Sequence, residues 1–169
     1  MFQAGELIVY GSSGVYRVLR VGSIEIKGCE GRVYYTMEPV FGSGTSYVPV
    51  DTNVFMRRVM TVEEANVLID SIPEIRGEEF SDSNPKAVKE HYSASIKSHN
   101  CAELLGVIKE IWHKSELAKQ RNKKLSRIEQ QYMEQAEELV YGELSVALDI
   151  PREQVTDYIH KRLADSQAV

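Results

Sequence analysis

The chain has 169 residues, of which 43% are hydrophobic, and its formal net charge is −5. This length and composition suit one medium domain or two small ones, each with a modest core. The negative net charge argues against a protein that binds nucleic acid through its overall charge. The sequence also has no run of ~18 apolar residues, the length that would predict a membrane span. The opening MFQAGE also lacks the basic and apolar regions of a signal peptide, so a cytoplasmic protein without a membrane partner is expected.

Residues 1–59 have the composition of a small β domain. β-Branched and aromatic residues fill six short runs, LIVY, VYRVLRV, SIEIK, RVYYTMEPV, SYVPV and VFMRRV. The glycine-rich stretches GSSG, GCEG and FGSGTS between some of them predict hairpin turns. Such short strands cannot cover both faces of an open sheet, which favours closure into an SH3-like or Tudor-like barrel. Pro39 and Pro49 then belong at strand ends or on an edge.

From Thr61 the hydrophobic period changes from two to about 3.6, which predicts an all-α domain over residues 60–169. Thr61 with Glu64 and Ser126 with Glu129 form capping boxes that open a first and a fourth helix. The other predicted features are a polar linker, PEIRGEEFSDSN, a second helix from Asn84 and Pro85, a third from about Ala102 to Lys119 and a fifth from Pro151 to near Leu163. The sequence thus predicts an α+β protein of two domains with about five helices.

The sequence offers little to an enzyme or a metal site. It contains no P-loop, GxSxG or HExxH motif, and its four histidines are scattered. Cys29 and Cys101 lie far apart without a CxxC partner, so we expect reduced, buried or half-buried thiols. No catalytic residue, cofactor or metal is predicted.

A basic run lies between Lys109 and Arg127, where seven Lys or Arg residues accompany only two acids. It covers the end of the third helix, a loop and the capped start of the fourth, whose terminal amides offer further phosphate donors. The alternative is an ordinary solvated face. Within this region Trp112 could act as an intercalating wedge, but it shares a helical face with Ile108 and Ile111, so a core position is predicted.

The segment at residues 143–163, ELSVALDIPREQVTDYIHKRL, has the pattern of a helix-turn-helix. In that interpretation Arg152, Gln154 and Thr156 face the major groove of a specific operator. The alternative is a helical hairpin that closes the α domain. The acidic surroundings weaken the first interpretation, because affinity for nucleic acid depends mainly on phosphate neutralisation.

Over nearly its whole length the chain resembles the CarD/CdnL family of bacterial transcription regulators. The resemblance rests on MFQAGELIVYGSSGVYRV, on IEIKG at residues 24–28 and on YVPV at residues 47–50. In the second half it rests on LSRIEQQYMEQAEELVYGELSVAL at residues 125–148. The amino-terminal half is similar to the RNA-polymerase-interacting domain of transcription-repair coupling factor. The order of these motifs, together with the change of period, is specific.

The resemblance implies a non-enzymatic transcription regulator with two partners. Its β domain would dock on the β subunit of RNA polymerase by strand addition, through the edge Ile24, Glu25, Ile26 and Lys27 together with Tyr47. Its helical domain would contact promoter DNA in the minor groove at the upstream edge of the melted bubble, largely independently of sequence. A monomer acting in this way would modulate the stability of the open promoter complex. A protein-only adaptor without a DNA contact is a further alternative.

Two departures from the family pattern concern these surfaces. Relatives carry two arginines at the polymerase contact where this chain has Ile24 and Tyr47, so a more apolar contact is expected. The wedge tryptophan of those relatives aligns with Val88, which offers less bulk to unstack bases, and a neighbouring aromatic is kept as Tyr92. The candidate DNA-binding residues are Lys86, Val88, Lys89, Tyr92, Lys123, Lys124 and Arg127, and the basic ones would contact phosphates unless they are merely solvated.

Overall fold

The amino-terminal unit, Met1–Val59, is a five-stranded antiparallel sheet in the computed structural model, which describes residues 1–168. Its strands are β1 (Leu7–Tyr10), β2 (Val15–Gly22), β3 (Tyr34–Pro39), β4 (Ser46–Pro49) and β5 (Met56–Arg58). The strands follow the order β4-β3-β2-β1-β5, so β4 and β5 are the edge strands. This architecture confirms the predicted Tudor-like fold of the first half.

One face of the sheet carries the core of this unit. The period-two alternation along the strands brings together five buried side chains, Ile8, Val18, Tyr35, Met37 and Val48. Pro39 ends β3 and Pro49 ends the edge strand β4, as predicted. Cys29 is half-buried and Cys101 buried, and within residues 1–168 both are thiols outside any disulfide, as also predicted.

The predicted strand SIEIK is wrong. Residues 23–33 contain no strand and form a loop between β2 and β3. Ile24 is buried and anchors this loop, whereas the Cys29 amide donates to the Ile26 carbonyl at 3.0 Å and closes a turn. The β-branched residues suggested a strand, but β2 already pairs with β1 and β3, so an added strand could pair only with β4 or β5.

The second unit begins at Met60 and is helical. Its helices are α1 (Val62–Ser71), α2 (Pro85–Lys97), α3 (Cys101–Gln120), α4 (Arg127–Leu148) and α5 (Val155–Gln167), with short 3₁₀ turns at Ile72–Glu74 and Arg152–Gln154. The five helices confirm the predicted fold class. Both predicted capping boxes are present, and Asn84 caps α2 as predicted. These caps could be predicted from sequence because each joins residues only two or three apart.

The core of this unit lies between the helices and includes Ala65, Tyr92, Ile111, Val140 and Leu144, all fully buried. A buried carboxylate, that of Glu143, ties three parts of the unit together. It accepts hydrogen bonds from the Met60 amide at 3.0 Å and from the Cys101 thiol at 3.2 Å. No helix within residues 1–168 is long and apolar enough to cross a bilayer.

Helix α5 packs back onto the helical unit. Its Val155 and Ile159 are buried, and Tyr158 donates to the Asn66 side chain of α1 at 2.8 Å. Arg162 forms a bidentate pair with Asp70 of α1, with both N–O distances 2.7 Å. These contacts hold α5 against α1 and leave Gln154 and Thr156 exposed at the surface.

The predicted linker has neither helix nor strand at residues 75–84, yet it packs firmly against α3. Lys109 of α3 donates to the carbonyls of Ile72 and Ile75, at 2.7 Å each. Gly77 approaches α3 so closely that a β-carbon there would lie 2.9 Å from the Gly106 carbonyl oxygen and from the backbone nitrogen of Glu110. The segment is therefore a wall of the helical unit.

Candidate nucleic-acid interface

A cleft of about 950 Å³ opens between the 75–82 segment, α3 and the loop that joins α3 to α4. Val88 of α2 lines it, as do Trp112 and Leu117 of α3 and Lys123 and Lys124 of the following loop. Three of the seven residues predicted to bind DNA, Val88, Lys123 and Lys124, thus lie around one cavity. We call this cavity the α3 cleft.

The predicted core position of Trp112 is wrong. The side chain is 57% exposed, whereas Ile111 is fully buried and Ile108 nearly so. The buried stripe of α3 runs through Leu104, Ile108 and Ile111, and residue 112 lies beside it. An exposed indole therefore faces the α3 cleft.

The basic run divides into structural and solvent-facing cations. Lys109 binds linker carbonyls, Lys114 lies 3.2 Å from the Glu110 carboxylate, and Lys119 pairs with Glu116 at 2.7 Å. The other four cations of the run, Arg121, Lys123, Lys124 and Arg127, are exposed, and within residues 1–168 they form no ion pair. Arg121, Lys123 and Lys124 line the α3 cleft, so its positive charge is concentrated at the end of α3 and in the loop.

A buried polar cluster supports the floor of the cleft. Glu110 accepts from the Tyr92 hydroxyl at 2.9 Å and lies 3.2 Å from both Lys114 Nζ and His91 Nε2. The linker residue Phe80 stacks on the His91 ring at a centroid distance of 4.1 Å and an interplanar angle of 11°. The cluster joins α2, α3 and the linker, so it fixes the shape of the cleft.

The prediction that Tyr92 contacts DNA conflicts with its position in the structure. Its side chain is fully buried, and its hydroxyl donates to Glu110 and accepts from Lys114 at 2.9 Å. Burial, together with the hydrogen bond to Glu110 and that carboxylate's charge, raises the pKa of the phenol. Tyr92 therefore acts as a structural donor, and DNA cannot reach it in this conformation.

The other candidate residues lie on separate surfaces. Val88 is half-buried and packs against the helical core while it also lines the cleft. Lys86 and Lys89 are exposed on α2, and Lys86 lies 3.9 Å from Glu90. Arg127 is exposed on the first turn of α4, outside the residues that line the cleft. The structure thus joins Val88 to the loop lysines and leaves Lys86, Lys89 and Arg127 at the periphery.

The start of α4 is a weaker phosphate site than its amides alone suggested. Glu129 accepts from the Ser126 amide at 3.1 Å, and Ser126 Oγ accepts from the Glu129 amide at 3.2 Å. The capping box satisfies these two donors and places a carboxylate at the helix start, which repels an anion. The positive residues of the loop remain the stronger attraction for phosphate.

The candidate polymerase contact divides between a loop and an edge strand. Ile24 to Lys27 lie in the β2–β3 loop; Ile24 is buried, whereas Glu25, Ile26 and Lys27 are exposed. Tyr47 lies on β4, and its side chain is 48% exposed. The predicted edge at Ile24–Lys27 is therefore wrong, and among these candidates only Tyr47 belongs to an edge strand.

The register of β4 shows what its outer edge offers. The Val50 amide donates to the Val33 carbonyl at 3.0 Å, and the same register pairs Val48 with Tyr35 and Tyr47 with Thr36. Hydrogen-bonded and non-hydrogen-bonded pairs alternate in an antiparallel ladder. The N–H and C=O of Tyr47 consequently point away from β3, towards the open edge.

Sequence reasoning missed the wall that completes the cleft. Gly77 and Phe80 lie in a segment whose polar, breaker-rich composition predicts only a linker. Two signals in it point to packing: an aromatic residue among acids, and a glycine outside any predicted turn. Their partners, His91 and Glu110, are more than ten residues distant in sequence, so no local pattern identifies them.

Two family models match the chain. The model described as CarD, C-terminal domain, matches residues 76–160, about half of the chain. The model described as CarD-like/TRCF RID domain matches residues 2–60. No individually curated protein matches the sequence. The first match contains most of the residues that line the α3 cleft, and the second contains the sheet with its β4 edge.

Proposed function

The chain belongs to the CarD family and is a transcription-related factor that interacts with RNA polymerase, and from this premise we propose that it holds promoter DNA beside the enzyme. In this proposal the β unit docks on the polymerase β subunit, and the helical unit contacts DNA at the upstream edge of the melted bubble. The contact changes the lifetime of the open complex. The family implies a non-catalytic role.

One observation carries the DNA contact. Arg121, Lys123 and Lys124, three exposed cations that form no ion pair with any residue the structure describes, lie around a cleft that also exposes Trp112. Phosphate contacts of lysine and arginine position a protein on DNA without reading its sequence. Positive charge beside an exposed aromatic side chain suits a nucleic-acid strand, whose phosphates meet the cations while a base stacks on the ring.

The polymerase contact is proposed at the open edge of β4. A partner strand can pair with the outward N–H and C=O of Tyr47, while alternate side chains set specificity. The exposed Ile26 and Tyr47 side chains make this contact more apolar than one built on arginine. An apolar contact depends weakly on salt, because counterion release contributes little to it.

Docking explains how a chain with net charge −5 binds DNA. A polymerase-bound β unit keeps the covalently attached helical unit near the promoter at a high effective concentration. A weak DNA contact then suffices. A change of ~1.4 kcal/mol in the stability of the open complex alters its equilibrium tenfold.

The test measures the lifetime of open complexes formed by RNA polymerase with the full-length protein. We compare the wild type with the double variant Lys123→Glu and Lys124→Glu. The control, Lys97→Glu with Lys161→Glu, changes net charge equally at exposed lysines that do not line the cleft. The cleft variant should abolish most of the effect on lifetime, and the control should retain it.

Other outcomes separate the alternatives. An unchanged lifetime effect with the cleft variant would reject the DNA contact and favour a protein-only adaptor. Failure of the full-length protein to bind polymerase, with tight binding to one operator sequence, would reject the proposal in favour of a helix-turn-helix regulator.

A further inference from the structure

We propose that Trp112 is a stacking platform for an unpaired base of the melted DNA strand. This inference rests on the proposed function and assigns a role to a residue of the same cleft. The indole is the largest exposed apolar side chain of the helical unit, and within residues 1–168 it makes no ring contact or hydrogen bond. The helical core therefore does not account for its position.

The surroundings of Trp112 select an anionic, planar ligand. Leu117, 39% exposed, lies on the same helix and also lines the cleft, which extends the apolar surface. Arg121, Lys123 and Lys124 follow at the end of α3 and in the loop. An aromatic face with cations beside it is the arrangement that binds single-stranded nucleic acid, because bases stack while the phosphates meet positive charge.

An unpaired base fits better than a base within a duplex. Stacking requires an exposed π-face, which a paired base offers only after its neighbours are unstacked. The 75–82 segment that also lines the cleft carries three acids, Glu78, Glu79 and Asp82, against one cation, Arg76, so it repels a second phosphate backbone. The cleft therefore accepts one strand along its basic side.

The cleft is also preformed. Phe80 stacks on His91, Lys109 holds the Ile72 and Ile75 carbonyls, and Gly77 packs against α3. These contacts fix the 75–82 wall of the cleft before any ligand binds. A preformed cleft loses little conformational entropy on binding, so a small number of contacts is enough to hold a base there.

Trp112 is the only tryptophan of the chain, so its fluorescence reports on the proposed contact directly. The probes are a DNA duplex with a single-stranded thymidine tail and the same duplex with blunt ends. Excitation at the red edge of the absorption band avoids the tyrosines. The tailed duplex should quench the emission, and the blunt duplex at equal occupancy should quench it much less.

Affinities for labelled DNA identify the contribution of stacking. Trp112→Ala should bind the tailed duplex on the order of tenfold more weakly, with an unchanged salt dependence, because stacking releases no counterions. Trp112→Phe should restore most of the affinity. Val67→Ala removes another exposed apolar side chain, on α1, and should have no effect. The charge-reversal variant at Lys123 and Lys124 should instead reduce the salt dependence.

The inference is overturned if Trp112→Ala binds the tailed duplex like the wild type, or if bound tailed DNA leaves the fluorescence unchanged. The proposed function survives either result when the lysine variant still loses affinity. If neither DNA binds and open-complex lifetimes do not respond to the protein, the proposed function fails as well. Quenching by an acidic peptide with none by DNA would identify a protein ligand and reject both.

Discussion

Gly77 packs so tightly against Glu110 that a β-carbon added to the glycine would lie 2.9 Å from the Cβ and the backbone nitrogen of Glu110. Neither of these atoms can move aside without moving α3. The absence of a side chain at Gly77 therefore allows the linker to form the wall of the cleft. The geometry yields the first prediction.

Gly77→Ala should destabilise the helical unit by ~1–3 kcal/mol, because the new methyl group overpacks a rigid contact. Gly106→Ala is the matched control within α3. Its β-carbon would meet the Arg76 carbonyl oxygen at an ordinary 3.6 Å, and alanine is the better helix former. Gly106→Ala should thus be neutral or stabilising in urea unfolding. Equal losses from both variants would contradict the tight contact at Gly77.

The polar cluster below the cleft predicts that removing the hydroxyl of Tyr92 lowers the free energy of unfolding more than removing that of Tyr132. Tyr92→Phe should lower the free energy of unfolding by ~1–3 kcal/mol, because buried Glu110 loses a hydrogen-bond donor. Tyr132→Phe removes a hydroxyl that makes only an exposed 3.3 Å hydrogen bond to the Lys89 carbonyl, and it should change stability little. Denaturant unfolding of both variants provides the measurement. Similar values for the two would show that the buried cluster adds no stability.

The β4 edge predicts unequal losses of polymerase affinity from two substitutions at Tyr47. Tyr47→Pro removes an amide that points away from β3, so the sheet should remain folded while a partner strand loses a donor. Binding to the polymerase β subunit should weaken on the order of tenfold, the value of one net hydrogen bond. Tyr47→Ala keeps the amide and should lose less affinity. The strand-addition model fails if the proline variant, shown by circular dichroism to be folded, binds as tightly as the wild type.

The ion pair between α5 and α1 predicts a pH dependence of stability. Hydrogen bonds from Arg162 hold the pKa of the Asp70 carboxyl below its usual range. A group with a depressed folded-state pKa stabilises above its unfolded pKa and loses that contribution as the pH falls. The difference in unfolding free energy between wild type and Asp70→Asn should therefore be largest near neutral pH. It should shrink below about pH 4, where a free aspartate titrates.

Arg162→Met offers an independent check of the same ion pair. It removes the cation, so its difference from the wild type should follow the same pH profile as that of Asp70→Asn. A difference that stays constant between neutral and acidic pH for either variant would exclude the ion pair as the cause.

Within the helical unit, prediction succeeded where the determining residues are neighbours in sequence. The capping boxes at Thr61 and Ser126 and the Asn84 cap mark helix starts, because cap and amide are two or three residues apart. Prediction failed for Trp112, Tyr92 and the SIEIK segment. For Trp112 and SIEIK the prediction followed a local periodicity, and for Tyr92 it followed the family resemblance. In all three cases the neighbours that decide burial or pairing come from other elements.

By itself, the sequence determined two units, the β-then-α order and the excess of positive charge around the end of α3. Periodicity, capping and local charge are properties of short segments, so they can be predicted without knowledge of the fold. Only the tertiary structure decided that Lys109 and Lys114 serve the interior while Lys123 and Lys124 face solvent. It also decided that Trp112 is exposed and that β4 carries the open edge, because burial and edges arise when distant segments pack together.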